Sequence, residues 1–178
     1  TVIFESGNGQ LVTVDGVTYT ADMTKVVYCD KEKAGAYVMP ESVTKIATGA
    51  FRNCTELTDV TVSNKVTAIT YEDFANCTSL ANVSMPETVK SIDAGAFRNC
   101  KKLTAVDIPA DTTTIDFMAF TYSGIKDAGT LDNVETIGIR AFAETPLESI
   151  KFTDALAVID RQAFERTALK SVDLHESL

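Results

Sequence analysis

Six phenylalanines recur in fixed phase along this chain, and nothing else in the sequence constrains its fold as strongly. Phe51, Phe74, Phe97, Phe120, Phe142 and Phe164 stand 23, 23, 23, 22 and 22 residues apart. Five residues before each comes an isoleucine: Ile46, Ile69, Ile92, Ile115, Ile137 and Ile159. Three residues before each isoleucine stand Val43, Val66, Val89, Thr112, Val134 and Leu156. After each phenylalanine comes Leu57, Leu80, Leu103, Ile125, Leu147 or Leu169. Then follow the pairs Val60/Val62, Val83/Met85, Val106/Ile108, Ala128/Thr130, Ile150/Phe152 and Val172/Leu174. A unit this short cannot bury its apolar residues alone. Units must stack coil on coil, like residue on like residue, around one continuous core.

The L-x-x-V-x-V end of the unit has period two and is rich in valine, so it reads as a short strand. Stacked coils would join these strands into one parallel sheet, about 4.8 Å per rung. The V-x-x-I-x-x-x-A-F part has no sustained helical period. It reads as an extended or turn-like segment on the opposite side.

The unit resembles the leucine-rich repeat of BspA-like bacterial surface proteins. Met39-Pro40, Met85-Pro86 and Ile108-Pro109 supply the proline after the strand, and Ala50-Phe51-Arg52-Asn53-Cys54 and Ala96-Phe97-Arg98-Asn99-Cys100 supply the A-F-x-x-C. The resemblance implies a right-handed solenoid of α/β-type coils, mostly β with short turns or 3₁₀ segments. In the last three units the phenylalanine-to-leucine spacing shortens from six to five and the cysteine is lost, so the coil tightens near residues 120–130.

Upstream the repeat dissolves. Leu11–Val14, Val17–Tyr19 and Lys25–Tyr28 read as strands, with Asp15-Gly16 as a hairpin turn. The division expected is a linker or lead-in at 1–9, an N-terminal β-hairpin cap at 10–33, and an array of about six coils of 22–23 residues at 34–178. The sequence stops in phase with the start of another coil. That makes end-to-end self-association at the C-terminal coil an expectation.

Little in the residues points to catalysis. There is one histidine, His175, and no residue with an activating partner at a recognisable spacing. No phosphate-cradling glycine loop or calcium loop is present. No cofactor or metal is expected. Cys54, Cys77 and Cys100 share one repeat slot, about 5 Å apart if stacked, and Cys29 lies upstream. A disulfide or metal ladder is one reading; small buried thiols filling a core slot is the plainer one. Asn53, Asn76 and Asn99 form a neighbouring column whose amides would bond backbone groups of the next coil. The fourth unit looks weak, with Thr112, Ala128 and Thr130 in apolar slots and Gly124 and Gly129 loosening the backbone.

The net charge of −9, from 16 basic and 25 acidic residues, argues against nucleic acid as a partner. No apolar run reaches the roughly 18–20 residues of a membrane span. Binding would fall to the outward positions of the strands, on the expected concave face: Thr58, Asp59, Thr61, Asn82, Ser84, Thr104, Asp107, Lys126, Asp127, Glu148, Lys151, Lys170 and Asp173. This surface has no aromatic residue, which speaks against a sugar-stacking platform. Two residues after the isoleucines, Phe117 and Ile139 are neighbours in another column and form a candidate apolar contact. The resemblance implies a secreted or cell-surface protein that adheres to host extracellular or cell-surface proteins. A structural spacer without its own ligand is the alternative, and a carbohydrate-binding or hydrolytic module a weaker one.

Overall fold

In the computed structural model the chain winds into stacked coils, with residues 2–6 and 9–172 described. Like residues stack on like. The six repeat phenylalanines form one column, with neighbouring ring centroids 5.0–5.6 Å apart and ring planes within 17° of parallel. Tyr37 extends the column at 5.3 Å from Phe51. Phe51, Phe74, Phe97, Phe120 and Phe142 are fully buried, as are Leu57, Leu80, Leu103 and Leu147. This is the solenoid expected from the repeat.

At the N-terminal end, β1 (Val2–Ser6), β2 (Gly9–Val14), β3 (Val17–Thr20) and β4 (Lys25–Cys29) form an antiparallel meander. The stretch read as a linker or lead-in at 1–9 contains β1, paired to β2. Asp15 and Gly16 turn β2 into β3 with φ of 48° and 77°, the left-handed pair that a two-residue hairpin requires. Val17, Tyr19, Val26 and Cys29 are buried in the same core as the coils.

Between the isoleucine and the cysteine slot the backbone is neither strand nor helix; among the described residues no helix occurs, 3₁₀ segments included. It is a run of overlapping turns. Ala50 N–H donates to Ala47 C=O, Arg52 to Gly49 and Cys54 to Phe51. The alternate amides donate across coils: Gly49 to Tyr71, Phe51 to Asp73, Asn53 to Ala75. The pattern repeats at every step, ending with Arg140 to Arg161, Phe142 to Ala163 and Glu144 to Glu165. Two of the three turns in each coil place a left-handed residue at their third position. One such column is Gly49, Glu72, Gly95, Met118, Arg140 and Gln162; a second is Asn53, Asn76, Asn99, Tyr122, Glu144 and Arg166. Only the asparagines and glycines suit that geometry intrinsically.

Two ladders flank this spine. On one side lie the two-residue strands β6 (Lys45–Ile46), β8 (Ala68–Ile69), β10 (Ser91–Ile92), β11 (Thr114–Ile115), β13 (Thr136–Ile137) and β15 (Val158–Ile159). The last five pair in sequence, all parallel, while β6 pairs with β4 instead of β8. On the other side the expected single sheet comes in pieces. β5 (Gly35–Val38), β7 (Leu57–Thr61) and β9 (Asn82–Ser84) pair in parallel. Residues 103–108 form only an isolated bridge, Ala105 to Asp127. β12 (Asp127–Leu131) and β14 (Ser149–Phe152) then pair.

The unit expected to be weak is thus a paired five-residue strand, and the break comes one coil earlier. Gly129, at φ 65°, allows a bulge in which Ala128 and Gly129 together oppose Ile150. The bulge turns Thr130 outward and brings Leu131, 1% exposed, into the core in its place. Thr112 is buried with its hydroxyl donating to Val89 C=O at 2.9 Å. Gly124 is not a loosening either. A Cβ there would lie 2.2 Å from Lys101 C=O, so the close approach of two coils excludes any other residue.

Candidate functional site: the divided strand face

Alternation along the strands turns the predicted residues outward. Thr61, Asn82, Ser84, Thr104, Asp107, Lys126, Asp127, Glu148, Lys151 and Lys170 are exposed, and Thr58 and Asp59 are half-buried. Asp173 lies outside the described residues, as does His175. Thr58 donates its hydroxyl to Asp59 Oδ2 at 2.6 Å, and Asn82 donates Nδ2 to Asp59 Oδ1 at 2.6 Å. The Thr58 hydroxyl first, and the Asn82 amide second, hold the Asp59 carboxyl below its ordinary value. Asp59, Asn82 and Thr58 therefore act as one fixed acceptor group linking two coils. Along the face Asp59, Glu87 and Asp107 stand in the earlier coils, and Lys126, Asp127, Glu148, Lys151 and Lys170 mix both signs beyond.

The face is divided in its backbone pairing. Among the described residues, no backbone hydrogen bond joins residues 81–86 to residues 103–109. The coils remain closed behind this gap, with Phe74 and Phe97 stacked at 5.5 Å and β8 paired with β10. Only the strand side opens, leaving a cleft of about 460 Å³ lined by Asn82, Val83, Ser84, Met85, Glu87, Ala105, Val106 and Asp107. At one end Glu87 Oε2 accepts the N–H of Ala110 at 2.8 Å, a side chain bridging where backbone does not. Ala105 and Asp107 are residue types that pair poorly in strands, which accords with the gap.

The second predicted patch is altered by a residue that sequence reasoning passed over. Phe117 is 43% exposed and Ile139 half-buried. Tyr71, two coils from Phe117 in the same column and 53% exposed, shares with it a cavity of about 190 Å³ floored by Ala94 and Gly95. The signal available was the small residue between two aromatic ones in a single column. Beside it, Glu72 is bound by Arg52 at 2.7 Å and Arg98 at 2.6 Å, so one carboxylate ties three successive coils.

The cysteines are buried and free. Cys77 donates its thiol to Phe51 C=O at 3.0 Å and Cys100 to Phe74 C=O at 3.1 Å. Burial raises the Cys77 thiol far above its ordinary value and pushes Cys100 up to about 12, so neither is a nucleophile at neutral pH. The asparagine column differs from expectation. Asn76 donates to Asn53 Oδ1 at 2.8 Å and Asn99 to Asn76 Oδ1 at 3.0 Å, amide to amide instead of amide to backbone. Among the described residues no group of three or more His, Cys, Asp or Glu could hold a metal ion. No helix among them is long and apolar enough to cross a membrane.

A family model for the BspA type leucine rich repeat region matches residues 24–145 and 119–178, in 6 copies. Solved structures share the architecture. A leucine-rich repeat protein from Bacteroides ovatus aligns with a TM-score of 0.74 at 22% identity, over 92% of this chain and 44% of that one. The pneumococcal vaccine antigen PcpA aligns at 0.67 and 19% identity, over 94% and 37%. A leucine rich cell surface protein from Faecalibacterium prausnitzii aligns at 0.51 and 22% identity, over 85% and 55%. The chain spans less than half the length of the first two. No curated protein matches it.

Proposed function

Because this chain belongs to the BspA type leucine-rich repeat family, we propose that it serves as a non-enzymatic, protein-binding and adhesive module of a secreted or cell-surface protein. Residues 10–33 cap the first coil in this reading. The observation that carries it is the strand face itself, whose exposed polar residues stand on rungs fixed by the buried column behind them. Such a scaffold presents side chains at little ordering cost, which favours binding. Similarity to a leucine rich cell surface protein from Faecalibacterium prausnitzii supports the location.

The test is an array of host extracellular-matrix and cell-surface proteins probed with the purified chain. The reading expects retention of at least one protein, lost when Asp59, Asp107 and Lys151 are reversed in charge together with the circular dichroism spectrum unchanged. A silent array from the folded chain would instead make it a spacer.

A further inference from the structure

We propose that the slot between Tyr71 and Phe117 is a second contact for a protein partner, apart from the strand face. It takes one aromatic side chain with a donor at its edge, a tyrosine or a tryptophan. This goes beyond the reading above, which concerns the strand face alone.

The column supplies the room. Tyr71, Ala94 and Phe117 stand one rung apart, where Glu72 N–H donates to Ala94 C=O at 3.0 Å and Gly95 N–H to Phe117 C=O at 2.9 Å. The same three coils carry Phe74, Phe97 and Phe120 in the core, with Phe97 stacked 5.5 Å from the first and 5.3 Å from the last. Each rung is therefore one ring deep. In the outer column alanine stands where the core has Phe97, which leaves the place of one ring open between Tyr71 and Phe117. Both line a single cavity of about 190 Å³ and both keep exposed surface. Clefts for small-molecule ligands begin at roughly 300 Å³, so this one suits a single side chain. Its Tyr71, Phe117, Met118 and Arg98 are residue types that concentrate in the cores of protein interfaces.

Electrostatics select the occupant. The lining holds two charged side chains, Glu72 and Arg98, bound to each other at 2.6 Å, and Arg52 holds the second Glu72 oxygen at 2.7 Å. Asp93 and Asp116, which precede Ala94 and Phe117, accept the Ser91 hydroxyl at 2.7 Å and the Phe117 N–H at 2.6 Å. Three carboxylates against two guanidiniums leave little net charge, which favours a neutral occupant over an ion. Each Glu72 oxygen accepts one of these bonds and keeps a lone pair. The carboxylate thus faces the positive edge of an inserted ring, and an indole N–H or phenol O–H finds an acceptor there. A sugar would bring hydroxyls around its whole rim to one pair of polar side chains and leave most of them unpaired.

The experiment is an NMR titration of the whole chain with blocked glycine pentapeptides that carry tryptophan, tyrosine, phenylalanine or leucine in the middle, and with methyl glucoside. The tryptophan and tyrosine peptides are expected to shift the Ala94 and Gly95 amides and to saturate in the millimolar range. The leucine peptide should bind about threefold to tenfold more weakly, the worth of a ring contact beyond its area. Ala94→Phe fills the slot and should abolish the titration, with the circular dichroism spectrum unchanged. Tyr71→Ala removes one wall and should weaken it by a similar threefold to tenfold, while Tyr122→Ala, outside the slot, should not. Charge reversal at Asp59, Asp107 and Lys151 should also leave it unchanged, so a silent protein array would remove the strand-face reading without touching this one. No saturable shift, or leucine binding as tightly as tyrosine, would overturn the inference. Phenylalanine as tight as tyrosine would overturn the Glu72 contact. Saturation by methyl glucoside at lower concentration than by any peptide would make the slot a sugar site instead.

Discussion

The carboxylate of Asp73 accepts the backbone N–H of Thr70 at 2.6 Å, and the Thr70 hydroxyl at 3.0 and 3.1 Å. Asp73 has no exposed surface and fills a slot that other coils give to Ala50, Ala96, Ala119, Ala141 and Ala163. Where alanine stands, the amide in the Thr70 position bonds the previous coil instead: Asp93 donates to Ile69 C=O and Asp116 to Ile92 C=O. Asp73 captures the amide that would form this rung. The ladder divides at the same place, with β8 unpaired to β6. Beside the turn spine that joins every coil, coil 2 is thus bonded to coil 1 through the strand face, and to coil 3 through the short-strand ladder.

Asp73 should make stability fall as pH rises. Burial raises its carboxyl to about 7, from an ordinary value of 3.8, against the opposing pull of the Thr70 bonds. Between those values the folded chain holds a proton that the unfolded chain has released, so the group's contribution is fullest below pH 4. It is lost as pH rises through about 7, by up to about 4 kcal/mol. Urea unfolding at pH 5 and pH 8 checks this. Asp73→Asn should flatten the difference; an equal slope in both proteins would contradict it.

Met118 sits at φ 53° in the column that Gly49 and Gly95 occupy. A side chain there carries a left-handed strain of roughly 1–2 kcal/mol. Met118→Gly should therefore raise stability by about 1 kcal/mol, after the added freedom of the unfolded glycine is subtracted. Gly95→Ala should do the reverse, because its Cβ would also meet Glu72 Cγ at 3.2 Å. Thermal melts of the two variants should move in opposite directions.

Ser123 occupies the cysteine slot, 3% exposed, and its hydroxyl has no hydrogen-bond partner among the described residues. Cys77 and Cys100 in the same slot each reach a carbonyl of the coil before. Ser123→Cys should extend that column and add about 1 kcal/mol, since a buried hydroxyl left unpaired costs roughly 1–3 kcal/mol. Denaturant midpoints would show the gain; a destabilised variant would mean that the serine is bonded in solution.

The thiols themselves should be inert. Iodoacetamide at pH 7.5 is expected to leave Cys77 and Cys100 unmodified in the native chain and to label both in denaturant. Mass spectrometry of the peptides distinguishes this from a disulfide ladder, which would block labelling in both states until reduction.

The repeat was legible because it is a packing signal. Phe51 to Phe164 and Ile46 to Ile159 recur at the coil length, and a column of identical buried side chains has one simple solution. The outward positions were legible for the same reason, since period two turns them from the core. Tyr71 was harder to see as a partner of Phe117, because exposure depends on the small Ala94 between them. The left-handed residues Glu72, Met118, Arg140 and Gln162 carry no glycine signature at all. Their backbone is imposed by the turn spine, whose cross-coil bonds outweigh local preference.

Sequence alone therefore determined the coil length, the composition of the core and which faces meet water, because burial is set by residue type and period. Tertiary structure alone decided which rungs close: Asp73 taking the Thr70 amide, the bulge that exchanges Thr130 for Leu131, and the gap between Ser84 and Asp107. Pairing between coils depends on the relative placement of backbone groups some 22–23 residues apart. Such placement is set by packing across whole coils, which the repeat period alone does not record.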